Sequence, residues 1–136
     1  MAFDIFLNAA LTTPVTTLTV NQDTSGSTAP VQFHLYLGST SVGVILRTLV
    51  NPGTDQIQVS INDSTVGTGA LPTYCKLALT QAGLATASAG APLNLGTVIT
   101  SGVANAVGFW LQVSDTSGVQ GTKTDLSLTT NTLGEL

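Results

Sequence analysis

The chain has 136 residues, only 7% of them charged, and three basic against seven acidic residues give a net charge of −4. A nucleic-acid-binding surface needs a basic stripe to neutralise phosphates, and Arg47, Lys76 and Lys123 are too few and too scattered to form one. The same shortage argues against docking on an anionic membrane, and no apolar run approaches the roughly 20 residues of a spanning helix. We therefore expect neither a nucleic-acid nor a membrane partner.

Small and neutral polar residues take the place of the missing charge, with 23 Thr, 11 Ser, 14 Gly and 13 Ala. Thr and Val favour strands, whereas Gly, Asn and Asp mark turns. This composition predicts an all-β fold.

Apolar and polar residues alternate with period two through most of the chain, which is typical of half-buried strands. The segments with this pattern are, in chain order, 3–7, 18–20, 31–37, 42–50, 57–61, 75–79, 96–100, 107–113 and 126–128. The pattern is weak in 3–7 and 96–100. It is less regular in 42–50, where Arg47 interrupts the apolar residues.

Turn chemistry separates these segments, because Asp or Asn bonds to the backbone two residues on and Gly supplies a positive φ. The predicted turns are 23–26, 38–40, 51–55, 62–64 and 115–118. One helical turn is expected at 81–86. Short strands at this spacing predict one antiparallel β-sandwich domain over 1–136, immunoglobulin-like or jelly-roll-like, with about 7–9 strands. Residues 1–30 look less core-like, and we expect an N-terminal arm or an edge strand there.

The cellular compartment is indicated by the first residues and by cysteine usage. Asp4 stands where a secretory signal would carry basic residues, and no apolar stretch of signal length follows. Either the chain is made and used inside a cell, which the initial Met favours, or a signal has been removed. Cys75 is the only cysteine, which excludes an intramolecular disulfide. Because Cys75 alternates with Leu77 and Leu79, we expect a buried, unreactive thiol.

No catalytic constellation stands out. A hydrolase needs a base beside its nucleophile, but the single histidine, His34, lies in mid-strand on the polar face and no G-x-S-x-G elbow exists. The letters Asp-Thr-Ser-Gly occur at 23–26 and 115–118 and resemble the paired loops of aspartic proteases. Both copies carry an inserted residue and polar flanks, so hairpin turns are the better interpretation. We predict no catalytic residue and no enzyme activity.

Metal and cofactor sites are not indicated either. Asp55, Asp63 and Asp115 could offer oxygen ligands to Ca²⁺, but the spacing of a calcium-binding loop is missing and turn capping explains them better. One His and one Cys cannot build a transition-metal site, and no phosphate-binding loop is present. We expect the chain to fold without metal or cofactor.

Two aromatic residues, Tyr74 and Trp110, are out of phase with the apolar residues of their own strands. They could form a sugar-stacking platform, with Lys76 or Gln112 fixing hydroxyl groups, or a protein-contact patch. The alternative is that a loop covers them, or that they belong to the core. Covering by segment 82–96 is favoured, because its leucines need an apolar surface.

The N-terminus carries apolar bulk at Phe3, Ile5, Phe6 and Leu7, although chain ends are normally polar and frayed. An extended terminal strand can add to the exposed sheet edge of a neighbour. We therefore expect these four residues, together with Tyr74 and Trp110, to contribute to an interface.

Segments 74–84, 90–96 and 108–113 carry an aromatic-x-Lys-Leu-Ala strand, a Gly-x-Pro-Leu loop and a Phe-Trp strand. In these the chain resembles small β-sandwich modules of structural proteins of tailed bacteriophages, over about half its length. The resemblance implies a non-enzymatic virion protein, assembled in the host cytoplasm. The function that the resemblance favours first is that of a capsid decoration (cement) subunit, whose partners are its own copies and a major capsid protein. A tail, collar or fibre-associated module and a carbohydrate-binding module are the alternatives.

Overall fold

The computed structural model describes residues 2–22 and 29–136, and within these ranges ten strands form three antiparallel sheets. The strands are β1 (Asp4–Phe6), β2 (Val31–Gly38), β3 (Ile45–Thr48), β4 (Gln58–Asp63), β5 (Cys75–Ala78), β6 (Leu93–Asn94), β7 (Ile99–Thr100), β8 (Val107–Val113), β9 (Leu126–Thr130) and β10 (Leu133–Glu135). Short 3-10 helices cover Pro72–Tyr74, Ala82–Ala85 and Val103–Asn105. In the described part of the chain no helix is long and apolar enough to cross a membrane. The predicted all-β class is confirmed.

The four-stranded sheet has the order β1-β2-β8-β5. Its centre is the pairing of β2 with β8, in which Leu35 lies opposite Phe109 and His34 lies opposite Trp110. Since paired residues point to the same side of a sheet, Leu35 and Phe109 share the inner face, where both are fully buried. His34 and Trp110 share the outer face.

Two three-stranded sheets, with the orders β10-β3-β7 and β6-β4-β9, supply the rest of the core. One cluster of buried side chains joins all three sheets. Its members are Phe3, Leu35, Leu37, Leu46, Ile57, Val59, Cys75, Leu77, Leu95, Ile99, Phe109 and Leu111. Most of these residues point inward from the strands, so the alternation in the sequence builds most of the core.

Of the two predicted turns at 51–55 and 115–118, the second has the predicted side-chain bond. In 51–55, the Thr54 N–H donates to the Asn51 carbonyl at 3.0 Å, and Asn51 and Gly53 take positive φ values of 47° and 78°. In 115–118, the Ser117 N–H donates to the Asp115 carboxylate at 2.8 Å. The expected turn at 23–26 lies outside the described residues.

Several predicted elements differ from the structure. Leu18 packs against the core, but no strand forms at 18–20. The predicted strand 42–50 shortens to β3, and Leu79 lies beyond β5 and is exposed. The short strands β6 and β10 were not predicted, because two or three residues carry too little alternation to be recognised. The helical turn expected at 81–86 is confirmed as the 3-10 helix Ala82–Ala85.

The N-terminal segment is the edge strand β1 of the chain's own sheet, where Ile5 pairs with Leu37. Phe3 is 3% exposed and Phe6 is 8% exposed, so both side chains are already packed within the chain. Phe3 and Phe6 are therefore held by the chain's own core, and the interface expected of them stays a prediction. Ile5 is half-buried against the core, which leaves Leu7 as the exposed member of the four.

Candidate functional site

Three rings stand side by side on the outer face of the four-stranded sheet. The His34 and Trp110 rings are stacked, with centroids 4.4 Å apart and planes 10° from parallel. The Tyr36 ring is tilted against His34 at 4.5 Å, and the Tyr36 hydroxyl lies 3.0 Å from His34 Nδ1. A Cβ at Gly108 would lie 3.0 Å from His34 Nε2, so the absence of a side chain there makes room for the rings.

Amide side chains continue this face beside the rings. Gln81 Nε2 donates to Gln32 Oε1 at 2.8 Å, and Gln32 Nε2 donates to Gln112 Oε1 at 3.2 Å. The cross-strand neighbour of Trp110 on the other side is Ala78, which is buried beneath the helix Ala82–Ala85. One face of the Trp110 ring is therefore taken by His34, and the ring is half-buried. A sugar-stacking platform needs an open ring face, and this arrangement does not favour one.

Tyr74 does not join this group. It ends the helix Pro72–Tyr74, and its carbonyl accepts a hydrogen bond from the Ser114 N–H. Ser114 follows β8 directly and lies four residues from Trp110, a distance of roughly 13 Å along an extended chain. Tyr74 instead lines a cleft of about 1170 Å³ between the strand pairs β5–β8 and β4–β9. The Lys123 ammonium lies 5.5 Å from the centre of the Tyr74 ring. The sequence placed Tyr74 and Trp110 on one face, and the structure separates them.

Among the residues that the structure describes, the charged side chains that line the cleft are Asp4, Asp115 and Lys123. Lys123 forms an ion pair with Asp115 and also donates to Ser117 Oγ at 2.9 Å. Burial raises the pKa of the Asp115 carboxyl, but the bonds from Lys123 and Ser117 outweigh it and hold that pKa below its usual value. The ion pair of Lys123 with Asp115 holds the loop after β8 at the edge of the cleft.

We expect Lys123→Met to lower the melting midpoint at neutral pH by about 2–4 °C, because the pair is partly exposed and contributes modestly. A carboxyl with a lowered folded pKa stabilises the fold above its unfolded pKa, and that stability is lost as the pH falls through the folded pKa. The difference between Lys123→Met and the parent chain should therefore disappear in acid. Melting followed by circular dichroism at several pH values measures both effects. Lys76→Met is the control, and equal midpoints for the two variants at neutral pH would contradict the role of the pair.

Cys75 is 4% exposed in the core, and burial raises the pKa of its thiol to about 11. The thiol form is therefore favoured at neutral pH. The prediction that the thiol is buried is confirmed, and its low reactivity stays a prediction.

The three acidic residues weighed as calcium ligands each cap a turn. Asp55 accepts a bond from Asn51 Nδ2 at 3.2 Å, and Asp63 accepts the Thr65 N–H at 2.9 Å. Asp115 accepts the Ser117 N–H, as described above. Within residues 2–22 and 29–136, no three His, Cys, Asp or Glu side chains converge as metal ligands would.

An exposed apolar face lies on the outer side of the sheet β10-β3-β7. We call it the Arg47 face and define it as Ile45, Arg47, Leu49 and Leu136. Leu136 and Ile45 exchange main-chain hydrogen bonds of 3.0 and 2.9 Å, so they lie opposite each other. Gly134 lies opposite Arg47, and a Cβ at Gly134 would overlap the Leu49 side chain, which places Leu49 across the same face. Leu49 is 60% exposed and Leu136 is 66% exposed.

Sequence reasoning missed this face. The sequence feature that could have revealed the face is the irregular alternation of segment 42–50, in which Ile45 and Leu49 are out of phase with the buried Leu46. Apolar residues on both sides of a strand indicate that both sides contact protein, either within the chain or beyond it.

Comparison with protein-family models, with curated proteins and with solved structures finds no match for this chain. Function is therefore inferred from the residues and their placement.

Proposed function

We propose that this chain is a non-enzymatic structural subunit of a tailed-bacteriophage virion, and specifically a capsid decoration subunit that binds the assembled shell. The observation that carries the proposal is the Arg47 face. Contiguous exposed apolar residues on a folded surface mark a place where another protein docks. The resemblance of segments 74–84, 90–96 and 108–113 to virion modules supplies the class of partner.

The chemistry of the Arg47 face suits docking on a protein. Its apolar side chains gain by leaving water, and arginine is enriched at the centre of protein interfaces. A surface with few charges loses little solvation free energy when it is covered. The matching surface on the partner is apolar and carries a carboxylate that pairs with Arg47.

The fold in this proposal is one β-sandwich domain over residues 1–136. The four-stranded sheet forms one layer, and the two three-stranded sheets together form the other, in an immunoglobulin-like or jelly-roll-like arrangement. The outer edge of β1 is bonded to residues 13–15 of the same chain, so the exposed Leu7 is the N-terminal residue that is available for a contact with a second copy. The partners are thus further copies of this chain and a major capsid protein in the virion.

Co-sedimentation with shells assembled from the major capsid protein of the same genome tests the proposal. The parent chain should sediment with the shells, and Leu49→Ser should weaken its binding by about tenfold or more, as expected for a central interface residue. Val66→Ser is the matched control, since Val66 is 87% exposed on a different loop. Both variants should melt like the parent, because neither side chain is buried.

Binding to purified tails in place of shells would overturn the decoration role and assign the chain to a tail, collar or fibre position. Equal binding by Leu49→Ser and Val66→Ser would remove the Arg47 face from the interface. Binding to a glycan array that depends on Trp110 would overturn the structural role and favour the carbohydrate-binding alternative.

A further inference from the structure

The strand β9 lies at one edge of the sheet β6-β4-β9. It has five residues and is the longest edge strand in the part of the chain that the structure describes. It pairs with β4 along its whole length, from Leu126 opposite Asp63 to Thr130 opposite Val59. The edge strand β1 is covered by residues 13–15 of the same chain, so the outer edge of β9 is the longer backbone surface left at a sheet edge.

The hydrogen bonds between β9 and β4 fix the direction of every backbone group in β9. The Ser64 N–H donates to the Asp125 carbonyl at 2.9 Å, and the Asn131 N–H donates to the Gln58 carbonyl at 3.3 Å. In an antiparallel pair every second residue bonds to the partner strand. The odd-numbered residues from 125 to 131 therefore bond to β4.

The even-numbered residues of β9 direct their N–H and C=O groups to the outer edge. These residues are Leu126, Leu128 and Thr130. Within residues 2–22 and 29–136, no backbone group outside β4 bonds to β9. Segments 16–22 and 118–124 line the same cleft as Leu126 and Leu128, but neither is paired with the strand. The edge thus presents a row of donors and acceptors at the spacing of an extended chain.

The side chains of β9 suit a further strand at this edge. Leu126 and Leu128 pack against the core and line the cleft, whereas Ser127 and Thr129 are exposed. Residues 126–130 include no charged residue and no proline. Charged residues and proline are the usual protection of an edge strand against pairing with another chain.

We propose that β9 pairs with β9 of a second copy of this chain, in antiparallel orientation about a two-fold axis. The axis passes beside Leu128, so that Leu128 of each copy lies opposite the other and Leu126 lies opposite Thr130 of the partner subunit. The outward N–H and C=O groups of both strands then bond to each other, and the two β6-β4-β9 sheets become one continuous sheet. A two-fold pairing closes on itself and leaves no free β9 edge.

Two features favour a second copy over another protein as the occupant. The chain carries a net charge of −4, yet its β9 strand is uncharged, so two copies meet there without like charges in contact. Paired residues point to the same side of a sheet, so the leucines of the partner strand enter the apolar side of the cleft that Leu126 and Leu128 line. Dimerisation does not rest on the proposed function, since it is measured without shells.

Two double variants test the pairing and its register. In the proposed register, Ser127 lies opposite Thr129 of the partner subunit. Ser127→Lys with Thr129→Lys therefore sets lysine against lysine at both places, and Ser127→Lys with Thr129→Glu sets lysine against glutamate. Both positions are exposed, so each variant should give the far-ultraviolet circular dichroism of the parent.

Sedimentation velocity over a series of concentrations measures the dissociation constant of the dimer. We expect the parent and the lysine–glutamate variant to be dimers. The dissociation constant of the lysine–lysine variant should be about tenfold higher or more, because like charges directly opposite each other oppose strand pairing. Equal dissociation constants for the two double variants would overturn the proposed register.

Hydrogen exchange measured by NMR locates the contact. The amides of Leu126, Leu128 and Thr130 should be protected in the parent and exchange rapidly in the lysine–lysine variant. The amides of Ser127 and Thr129 bond to β4 and should stay protected in the parent, which makes them an internal control. A dimeric parent with rapid exchange at Leu126, Leu128 and Thr130 would mean that the dimer uses another surface, and the proposal would be rejected. A parent that is monomeric, and whose β9 amides become protected only when shells are added, would assign this edge to a strand of the shell protein instead.

Discussion

Deletion of residues 1–10 is expected to leave the chain largely unfolded at 25 °C. The deletion removes β1 and the buried rings of Phe3 and Phe6, and loss of a buried Phe side chain costs about 3–5 kcal/mol. Two such losses are comparable to the whole stability of a small domain, which is about 5–15 kcal/mol. Far-ultraviolet circular dichroism and a urea titration of the truncated chain measure the effect.

Point variants separate the side chains of β1 from its backbone pairing. Phe3→Ala should lower the free energy of unfolding by about 3–5 kcal/mol, whereas Leu7→Ser should change it little, because Leu7 is exposed. A truncated chain that melts like the parent would mean that β1 is a free arm. In that case the N-terminal apolar residues would be available for an interface, as their sequence suggested.

Phe109→Ala is expected to cost about 3–5 kcal/mol, and Trp110→Ala clearly less, although the two residues are neighbours on β8. Phe109 is fully buried on the inner face opposite Leu35. Trp110 is half-buried on the outer face, where its main partner is the stacked His34 ring, and an aromatic pair contributes about 0.5–1.5 kcal/mol beyond the burial of its area. Urea unfolding of both variants gives the comparison directly.

A third variant, His34→Ala, tests the stack itself. Trp110 is the only tryptophan in the chain, so its fluorescence reports its surroundings without interference. Removal of His34 uncovers one ring face, and we expect the emission maximum to move to longer wavelength with little loss of stability. An unchanged emission maximum, or a Trp110→Ala variant as unstable as Phe109→Ala, would mean that Trp110 is part of the core.

The sequence determined most of the fold through alternation. In β2 and β8, a long apolar–polar pattern leaves one arrangement that buries the inner residues, so these strands and their phase were predictable. Cys75 was predictable for the same reason. The turns at 51–55 and 115–118 were also predictable, because Asn or Asp followed by Gly satisfies a turn with local hydrogen bonds alone.

The tertiary structure decided which residues share a surface. The apolar side chains of Phe3 and Phe6 look the same in the sequence whether they pack inside the chain or contact a neighbour. The pairing of β1 with β2 is what places them inside the chain. Tyr74 and Trp110 shared a phase in the sequence, but the helix Pro72–Tyr74 turns Tyr74 towards the cleft. The Arg47 face joins residues of β3 to Leu136, which are far apart in the chain. Local patterns specify which way a side chain points along its own strand, whereas the neighbour it meets depends on strand pairing across the whole chain.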